Sequence, residues 1–404
     1  MATRARFFGE ISAFGRLFEI SFAAFLVILA FGIFDFTIPY FINNISSNMA
    51  VLGFTVSLIY IASFVFEVPL GLAVDKFGRR NVLFASLGAL SLIGLVYFFV
   101  QNIVHLMALE FLFGIIAVAF WIPAAVLVRD YSPKKKFGEA QGVYLTFSQL
   151  GWIAGPVIAG IVATVFAPKH NFILFSGFIF LALLYGLIVL RKKRVNIRPK
   201  QAKEERRIAR LFALKTSFKE YLFMHRHALP LYFLSVFLNI WIGVEWVFLQ
   251  ITSQRIFGIG EEVVGIVLGA MMAVEGLLYF SSGYIVDRVG PKYIILSGFL
   301  LLFSASYFAF LSISTPMFVF FMLLSAGSVA WIYPGTEAIA TEIIPVRKRG
   351  EMTGVFDSSK DLGLILGPLI GGAIAQATHS PMMPFLYVAI ISAAAVFVSL
   401  RLWK

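Results

Sequence analysis

Cysteine is absent from this 404-residue chain. Its absence excludes disulfide bonds, thiolate catalysis and cysteine metal sites, and it leaves the redox compartment undetermined. Charge is also scarce, because charged residues make up 13% of the chain and a soluble domain carries about 25%. Since 60% of the residues are hydrophobic and the mean hydropathy is +0.90, the composition indicates a protein whose main solvent is a lipid bilayer.

Clustered catalytic residues are missing as well. The five histidines, including His225 and His227, form no motif with metal-ligand or acid-base spacing, so neither an enzyme nor a bound cofactor or metal is predicted. A net charge of +12 is typical of nucleic-acid binders. Here the basic residues lie in loops beside apolar runs, which favours a role in membrane topology over nucleic-acid binding.

Runs of about 20 apolar residues, the length that crosses a bilayer as a helix, recur twelve times along the chain. The runs are continuously apolar rather than alternating, and lipid cannot satisfy open backbone groups, so helices are predicted. The predicted fold class is an all-α membrane protein with twelve transmembrane helices. The twelve predicted spans are 19–43, 49–73, 81–101, 104–128, 139–166, 171–190, 230–253, 262–286, 293–313, 315–341, 352–377 and 382–401.

The basic residues also predict the topology. All 33 Lys and Arg residues except Lys169, Arg255 and the intraspan Lys360 lie on one side of the predicted spans. The positive-inside rule makes that side cytoplasmic, together with both termini. No small-residue cleavage site follows the first run, so the first span is expected to stay in the mature protein. An integral, multi-pass protein of the plasma (inner) membrane is expected.

A basic segment divides the chain into two halves. Residues 191–229 carry thirteen Lys or Arg residues, and Ile208, Leu211 and Phe212 recur among them near helical spacing. This pattern favours an amphipathic helix on the anionic inner leaflet, with a solvated linker as the alternative. The predicted organisation is an N-terminal six-helix bundle at 1–190, a basic cytoplasmic linker at 191–229 and a C-terminal six-helix bundle at 230–404.

An internal repeat relates the two halves at a single offset of 212 residues. Glycines, acids and prolines that punctuate the first half reappear at the same spacing in the second. Gly71, Asp75, Gly78, Gly151, Gly155, Pro156 and Gly160 reappear as Gly283, Asp287, Gly290, Gly363, Gly367, Pro368 and Gly372. Parallel repeats imply an axis along the membrane normal, with a substrate site between the halves near the midplane.

The segment Gly71 to Arg80, between spans 2 and 3, resembles the loop signature of the major facilitator superfamily. Gly78 allows a tight turn, and arginines can hold carboxylates bidentately. The resemblance implies that Asp75 stabilises closure of the cytoplasmic side, partly by facing the positive N-terminus of helix 11. A topogenic basic turn would explain only the arginines. The expected gate residues are Glu67, Gly71, Asp75, Gly78, Arg79, Arg80, Asp287 and Arg288.

Span 5 carries a run from Gly151 to Gly160 that resembles the antiporter signature of the same superfamily. Small residues four apart let helices approach closely, and proline permits a bend. Ala159 departs from the family pattern, which has a second glycine there. Plain helix packing is the alternative reading. The expected packing residues are Gly151, Gly155, Pro156, Gly160, Gly363, Gly367 and Pro368.

Ionisable residues inside the spans are the functional candidates, because a charge near the bilayer centre is costly unless it faces a polar cavity. Asp35 in span 1 and Glu245 in span 7 lie at nearly equivalent points of the two halves, and the resemblance places helices 1 and 7 along the central cavity. Span 11 carries three charges on one helical face, which favours either substrate contact or an internal ion pair. The expected proton-coupling or cavity residues are Asp35, Glu245, Asp357, Lys360, Asp361 and Glu275.

Two further acids receive different expectations. Glu110 occupies a position where many members of the superfamily carry an arginine, so a proton-relay role borrowed from that arginine is in doubt. Glu337, near the inner end of span 10, is expected at the membrane interface.

The resemblance implies a secondary active transporter that moves a small organic solute by alternating access. The embedded acids favour proton-coupled efflux of the multidrug antiport type, because a carboxyl group in low dielectric can alternate between a proton and a cationic substrate. The alternative is a sugar, metabolite or lipid transporter working by symport or export on the same fold. The expected partners are the lipid bilayer, a small-molecule substrate and protons, and a monomer is expected.

Overall fold

The computed structural model describes residues 2–131, 137–189, 228–343 and 349–401. Within those ranges the chain is helical between short connections, and twelve helices are long and apolar enough to cross a membrane. The predicted fold class and span count are therefore confirmed. Residues 191–227 of the basic linker predicted at 191–229, with the expected amphipathic helix, lie outside the described residues.

The two halves contribute six spanning helices each. The first half consists of α1 (Ala2–Ile45), α2 (Met49–Phe77), α3 (Arg79–Phe98), α4 (Ile103–Tyr131), α5 (Phe137–Val165) and α6 (Asn171–Val189). The second consists of α7 (Leu229–Arg255), α8 (Glu261–Val289), α9 (Pro291–Phe310), α10 (Thr315–Ile343), α11 (Arg349–Thr378) and α12 (Met383–Arg401). Both ends of α2, α3, α4 and α6 lie 212 residues before the matching ends of α8, α9, α10 and α12, so the sequence offset is also the structural repeat.

The connections between helices follow from local chemistry. The side chain of Asn48 caps α2 by accepting hydrogen bonds from the backbone N–H groups of Ala50 and Val51, at 2.9 and 3.1 Å. The tight turn expected at Gly78 forms with φ of +88°, and its repeat Gly290 has φ of +89°. Side chains with a Cβ rarely adopt this conformation, so both turns require glycine. We call the face of the molecule that carries these two turns the signature-loop side.

The two halves meet along two helix pairs, α2 with α11 and α5 with α8. Gly53 of α2 contacts Pro368 and Gly372 of α11, and Gly265 of α8 contacts the backbone of Pro156 and Gly160 in α5. Every residue in the first contact lies 212 positions from its counterpart in the second. The interface is therefore one contact made twice around a pseudo-two-fold axis.

The same small-residue motif also holds each half together. A Cβ on Gly155 would lie 2.8 Å from Gly32 of α1, while Gly367 makes the matching contact with the backbone of Ile240 in α7. Gly155 and the ring of Pro156 lie against Gly32 of α1, whereas Gly160 and the Pro156 carbonyl face α8. The motif thus allows α5 to pack closely against α1 within the first half and, on another face, against α8 of the second half.

Polar contacts join the halves on the side that carries the connections 46–48 and 256–260, which we call the short-loop side. The Arg255 guanidinium donates to the side-chain oxygen of Asn43 and, at 3.0 Å, to the carbonyl of Ser47. The backbone N–H of Met49 donates to Gln376 at 2.9 Å. Arg255 and Asn43 are 212 residues apart, so each is the repeat counterpart of the other. A contact between two counterparts lies on the pseudo-two-fold axis.

The halves separate toward the signature-loop side. Gly71 follows Gly53 by 18 residues, or about five turns, and therefore lies on the same face of α2. Among the described residues, a Cβ on Gly71 would meet nothing within 4 Å, and the same holds for Gly283, which follows Gly265 by the same distance on α8. The interface is thus closed at the short-loop side and open at the signature-loop side.

Substituting valine for Gly53 and, separately, for Gly71 tests whether α2 is packed at the short-loop side and open at the signature-loop side. Gly53→Val places a side chain against the backbone of Pro368, so we expect the overpacking to destabilise the protein by about 1–3 kcal/mol. Gly71→Val is the matched control on the same helix face, and its thermal stability should stay close to wild type. Thermal unfolding of the purified protein measures both. Equal losses for the two variants would contradict the open geometry at Gly71.

Candidate substrate cavity

An acidic cluster lies where α1, α2, α4 and α11 face one another. The phenol of Tyr60 on α2 experiences the charges of Asp35, Asp361 and Glu110. Asp35 and Asp361 are partly exposed, so two of these acids face space that solvent or a solute can enter. Because Asp361 belongs to α11, the cluster joins the first half to the second.

Glu110 is the buried member of this cluster. Its side chain is fully enclosed, and among the described residues neither carboxyl oxygen has a hydrogen-bond partner. Tyr97 and Asp35 are its polar neighbours, and the Tyr97 hydroxyl also lacks a regular hydrogen bond. The rings of Phe34 and Phe113 stack nearby with centroids 4.0 Å apart. Ionisation of Glu110 would place an uncompensated charge in an aromatic core, which is costly.

A second cluster lies in the other half, on α7 and α8. Glu245 opens a π-helical turn at Glu245–Leu249 and is 2% exposed. Turns of this kind occur often at functional sites. Glu275 of α8 lies close enough to interact electrostatically with Glu245, and the Tyr279 hydroxyl donates to Glu275 at 3.4 Å. The second half therefore holds two neighbouring buried acids.

Lys360 of α11 forms ion pairs with one acid on α10 and one on its own helix. Its ammonium group lies 2.8 Å from Glu337 and 3.0 Å from Asp357. The same group lies over the rings of Phe356 and Tyr333, at 4.5 and 5.6 Å from their centroids. Two carboxylates thus neutralise the charge of Lys360. This arrangement corresponds to the internal ion pair that was one of the two interpretations of span 11. Asp361 experiences the charges of Glu67, Asp357 and Lys360.

Asp35 and Glu245 do not occupy equivalent points, contrary to the expectation from the sequence. The 212-residue offset pairs Glu245 with Ile33, whereas Asp35 pairs with Val247. Two residues correspond to about 200° around a helix. Asp35 accordingly reaches accessible space, while Glu245 is enclosed. The two acids have different surroundings and are not symmetric partners.

Glu337 is the residue that the sequence assignment missed. It was expected at the membrane interface, and it lies three residues before the end of the span Thr315–Ala340, where it pairs with Lys360. Tyr333 precedes it by one helical turn on α10 and faces the same ammonium group. Such an i, i+4 pair of polar side chains on one helix face is the signal that sequence reading could have used.

Two tryptophan rings lie near the acidic residues. The indoles of Trp152 on α5 and Trp246 on α7 approach with centroids 5.8 Å apart, so they join the halves beside the acids. In the ranges that the structure describes, no group of three or more His, Asp or Glu side chains is placed to hold a metal ion. The groups described here that could contact a solute are carboxyl groups and aromatic rings.

The expected gate residues lie on the signature-loop side. Arg80 stacks on Phe84 at 5.5 Å and Arg288 on Tyr284 at 4.2 Å, while Asp287 is exposed. Asp75 belongs to the last turn of α2, and its side chain lies outside the described part of the structure. Because the halves are apart on this side, the gating roles stay predictions.

Comparison with known proteins identifies the chain's relatives. The sequence profile of the Major Facilitator Superfamily matches residues 20–253 and 242–404. An uncharacterised transporter of this type from Methanocaldococcus jannaschii is 23% identical, over 89% of this chain and 91% of its own. The multi-drug resistance efflux pump PmrA of Streptococcus pneumoniae is 25% identical over 83% of each chain. The multidrug resistance protein MdtG of Proteus mirabilis is 24% identical over 80% of this chain and 78% of its own.

Solved structures share the fold. A bacterial homologue of the human lysosomal transporter Spinster, in an inward-facing and occupied conformation, superposes with a TM-score of 0.78 at 14% identity, covering 96% of both chains. The nucleoside transporter NupG superposes with a TM-score of 0.75 at 13% identity, covering 96% of this chain and 99% of its own. At these identities the likeness concerns architecture alone.

A double-mutant cycle tests the ion pair between Lys360 and Glu337. Both side chains are partly exposed, so we expect a coupling free energy of about 0.5–1 kcal/mol between Lys360→Met and Glu337→Gln. The measurement is thermal or denaturant unfolding of the four proteins. The same cycle with Asp361→Asn in place of Glu337→Gln is the control, and we expect it to show a smaller coupling. Additive effects for the first pair would contradict the contact.

Proposed function

Because this chain belongs to the major facilitator superfamily, and is thus an integral, multi-pass membrane transporter of a small molecule, we propose that it exports organic cations in exchange for protons. The supporting observation is the imbalance of charge among the spans. Asp35, Glu110, Glu245 and Glu275 lie within the spanning helices, while Lys360 of α11 is already paired with Glu337 and Asp357. Acids without a basic partner suit a cargo that is itself positive.

In the proposed cycle, a carboxyl group that faces the cavity releases its proton when a cation binds and takes up a proton when the cation leaves. Asp35 is the first candidate for this exchange because its side chain reaches accessible space. Glu245 and Glu275 are the second, since two enclosed acids side by side cannot both ionise at low cost. The names of the relatives PmrA and MdtG support export as the direction.

We further propose that the signature-loop side faces the cytoplasm of a plasma membrane and that both termini lie there. The support is the positive-inside rule, because the Lys and Arg residues concentrate in the connections on that side. In this orientation the described conformation is open to the cytoplasm and closed outside. Alternation then requires the α2–α11 and α5–α8 contacts to part while the signature-loop side closes.

Transport into proteoliposomes under an imposed pH gradient tests the exchange. We expect the gradient to drive accumulation of ethidium, a fluorescent organic cation, and expect Asp35→Asn and Glu245→Gln each to reduce the driven rate by about tenfold or more. Glu262→Gln is the matched control, because Glu262 is exposed at the start of α8 on the short-loop side. Flux that ignores the gradient, with both variants at the wild-type rate, would exclude this proposal.

The gate is tested separately from the coupling. We expect Asp75→Asn to slow alternation by destabilising closure of the signature-loop side, and to leave substrate affinity within about twofold of wild type. The natural absence of cysteine allows a single cysteine to be placed at Leu72, which is 48% exposed, and its rate of thiol labelling reports the open state. A loss of binding in a folded Asp75→Asn variant would argue against a gating role.

A further inference from the structure

An apolar pocket of about 80 Å³ lies inside the first half, apart from the interface between halves. Its walls come from α1, α3, α4 and α6, with one residue from α5. The residues that matter here are Val27, Leu87, Phe120, Trp121, Tyr144 and Gly186. Among its lining residues there is no Asp, Glu, Lys or Arg, so the pocket is distinct from the acidic clusters.

The pocket has a deep end and a rim. Val27, Leu87 and Phe120 are buried, whereas Trp121 is 36% exposed. The Trp121 ring lies 5.3 Å from the ring of Phe31 on α1. Asp35 follows Phe31 by four residues, so it lies about one helical turn beyond the rim on the same face of α1. The pocket mouth and the partly exposed acid are therefore neighbours.

The second half provides an internal comparison. At the 212-residue offset, Phe299 replaces Leu87 and Phe356 replaces Tyr144, and both phenylalanines are buried at 0% and 2% exposure. Gly298 also brings α9 against α10, because a Cβ there would lie 2.5 Å from Ile332. The matching residue in the first half is Ser86. Leu87 thus corresponds to a larger side chain in the second half, whereas Tyr144, Phe120 and Trp121 correspond to the smaller Phe356, Ile332 and Tyr333.

The fold therefore accepts a larger side chain at the position of Leu87. Protein interiors are close-packed, and a dry apolar void loses dispersion contacts that a hydrocarbon group would restore. We propose that the pocket from Val27 to Trp121 binds the apolar chain of an amphipathic organic cation, whose charged end lies at Asp35. This assignment rests on the proposed transport of cations and narrows the substrate class to cations that carry an alkyl or aryl tail.

Binding of n-alkyltrimethylammonium ions to the protein in nanodiscs, with the chain lengthened from ethyl to dodecyl, tests the assignment. In the wild type we expect affinity to rise by about threefold to fourfold per methylene until the pocket is full. Leu87→Phe copies Phe299 of the second half and should flatten this dependence. Leu92→Phe, the same change on the exposed face of α3, is the matched control for partition of the probe into lipid.

A second filling variant and a spectroscopic readout keep the test decisive. Gly186→Val copies Val398 of the second half and should act as Leu87→Phe does if the latter folds poorly. A bromine at the end of the alkyl chain should quench Trp121 fluorescence, and Trp121→Phe should remove that quenching. An unchanged chain-length dependence in both filling variants would overturn the assignment.

Two further controls distinguish binding of a solute from binding of a lipid chain, and failure of the pocket proposal from failure of the proposed proton exchange. Nanodiscs of phospholipid brominated in its acyl chains, without added probe, should leave Trp121 no more quenched than Trp152, which lies outside the pocket. Selective quenching of Trp121 would assign the pocket to a lipid chain and overturn the solute proposal. Binding is measured at a single pH, so a chain-length dependence that persists while pH-driven flux is absent would refute proton exchange and leave the pocket standing.

Discussion

Close contact between the backbones of α5 and α8, repeated between α11 and α2, is the interaction on which the remaining structure depends. Between helices in lipid there is little hydrophobic gain, so association relies on packing and on polar contacts. Gly160 and Gly372 allow that packing by leaving no side chain between the backbones. This contact closes the short-loop side, and the separation of the helices beyond it creates the cavity in which the acids lie.

Much of this fold could be predicted because its signals are local or periodic. The length of the apolar runs gave the helices, and one offset related Gly78 to Gly290 before their shared backbone conformation was known. Gly155 and Gly160 of the antiporter-like motif lie at backbone contacts between helices. Which helix each glycine meets was not predictable, because Gly155 and Gly160 belong to one motif yet face different helices, α1 and α8.

The site was less predictable than the fold. Membrane burial singled out the right residue types, and it placed Asp35 and Lys360 among the candidates. It did not give the rotational position of a side chain, which decides whether an acid meets a base, another acid or a phenylalanine. The pairing of Glu337 with Lys360 was missed for this reason. Asp35 and Glu245 have different surroundings because a shift of two residues turns a side chain to another side of its helix.

The pseudo-symmetric interface has a consequence for the origin of the chain. Gly53 of one half meets Pro368 and Gly372 of the other, and Gly265 returns the same contact to Pro156 and Gly160. An interface in which each surface meets its own counterpart is that of an isologous dimer. A six-helix protein with this surface is able to pair with a second copy of itself. Fusion through a linker then makes the two copies free to diverge, so that one carries the apolar pocket between Val27 and Trp121 and the other the ion pairs of Lys360.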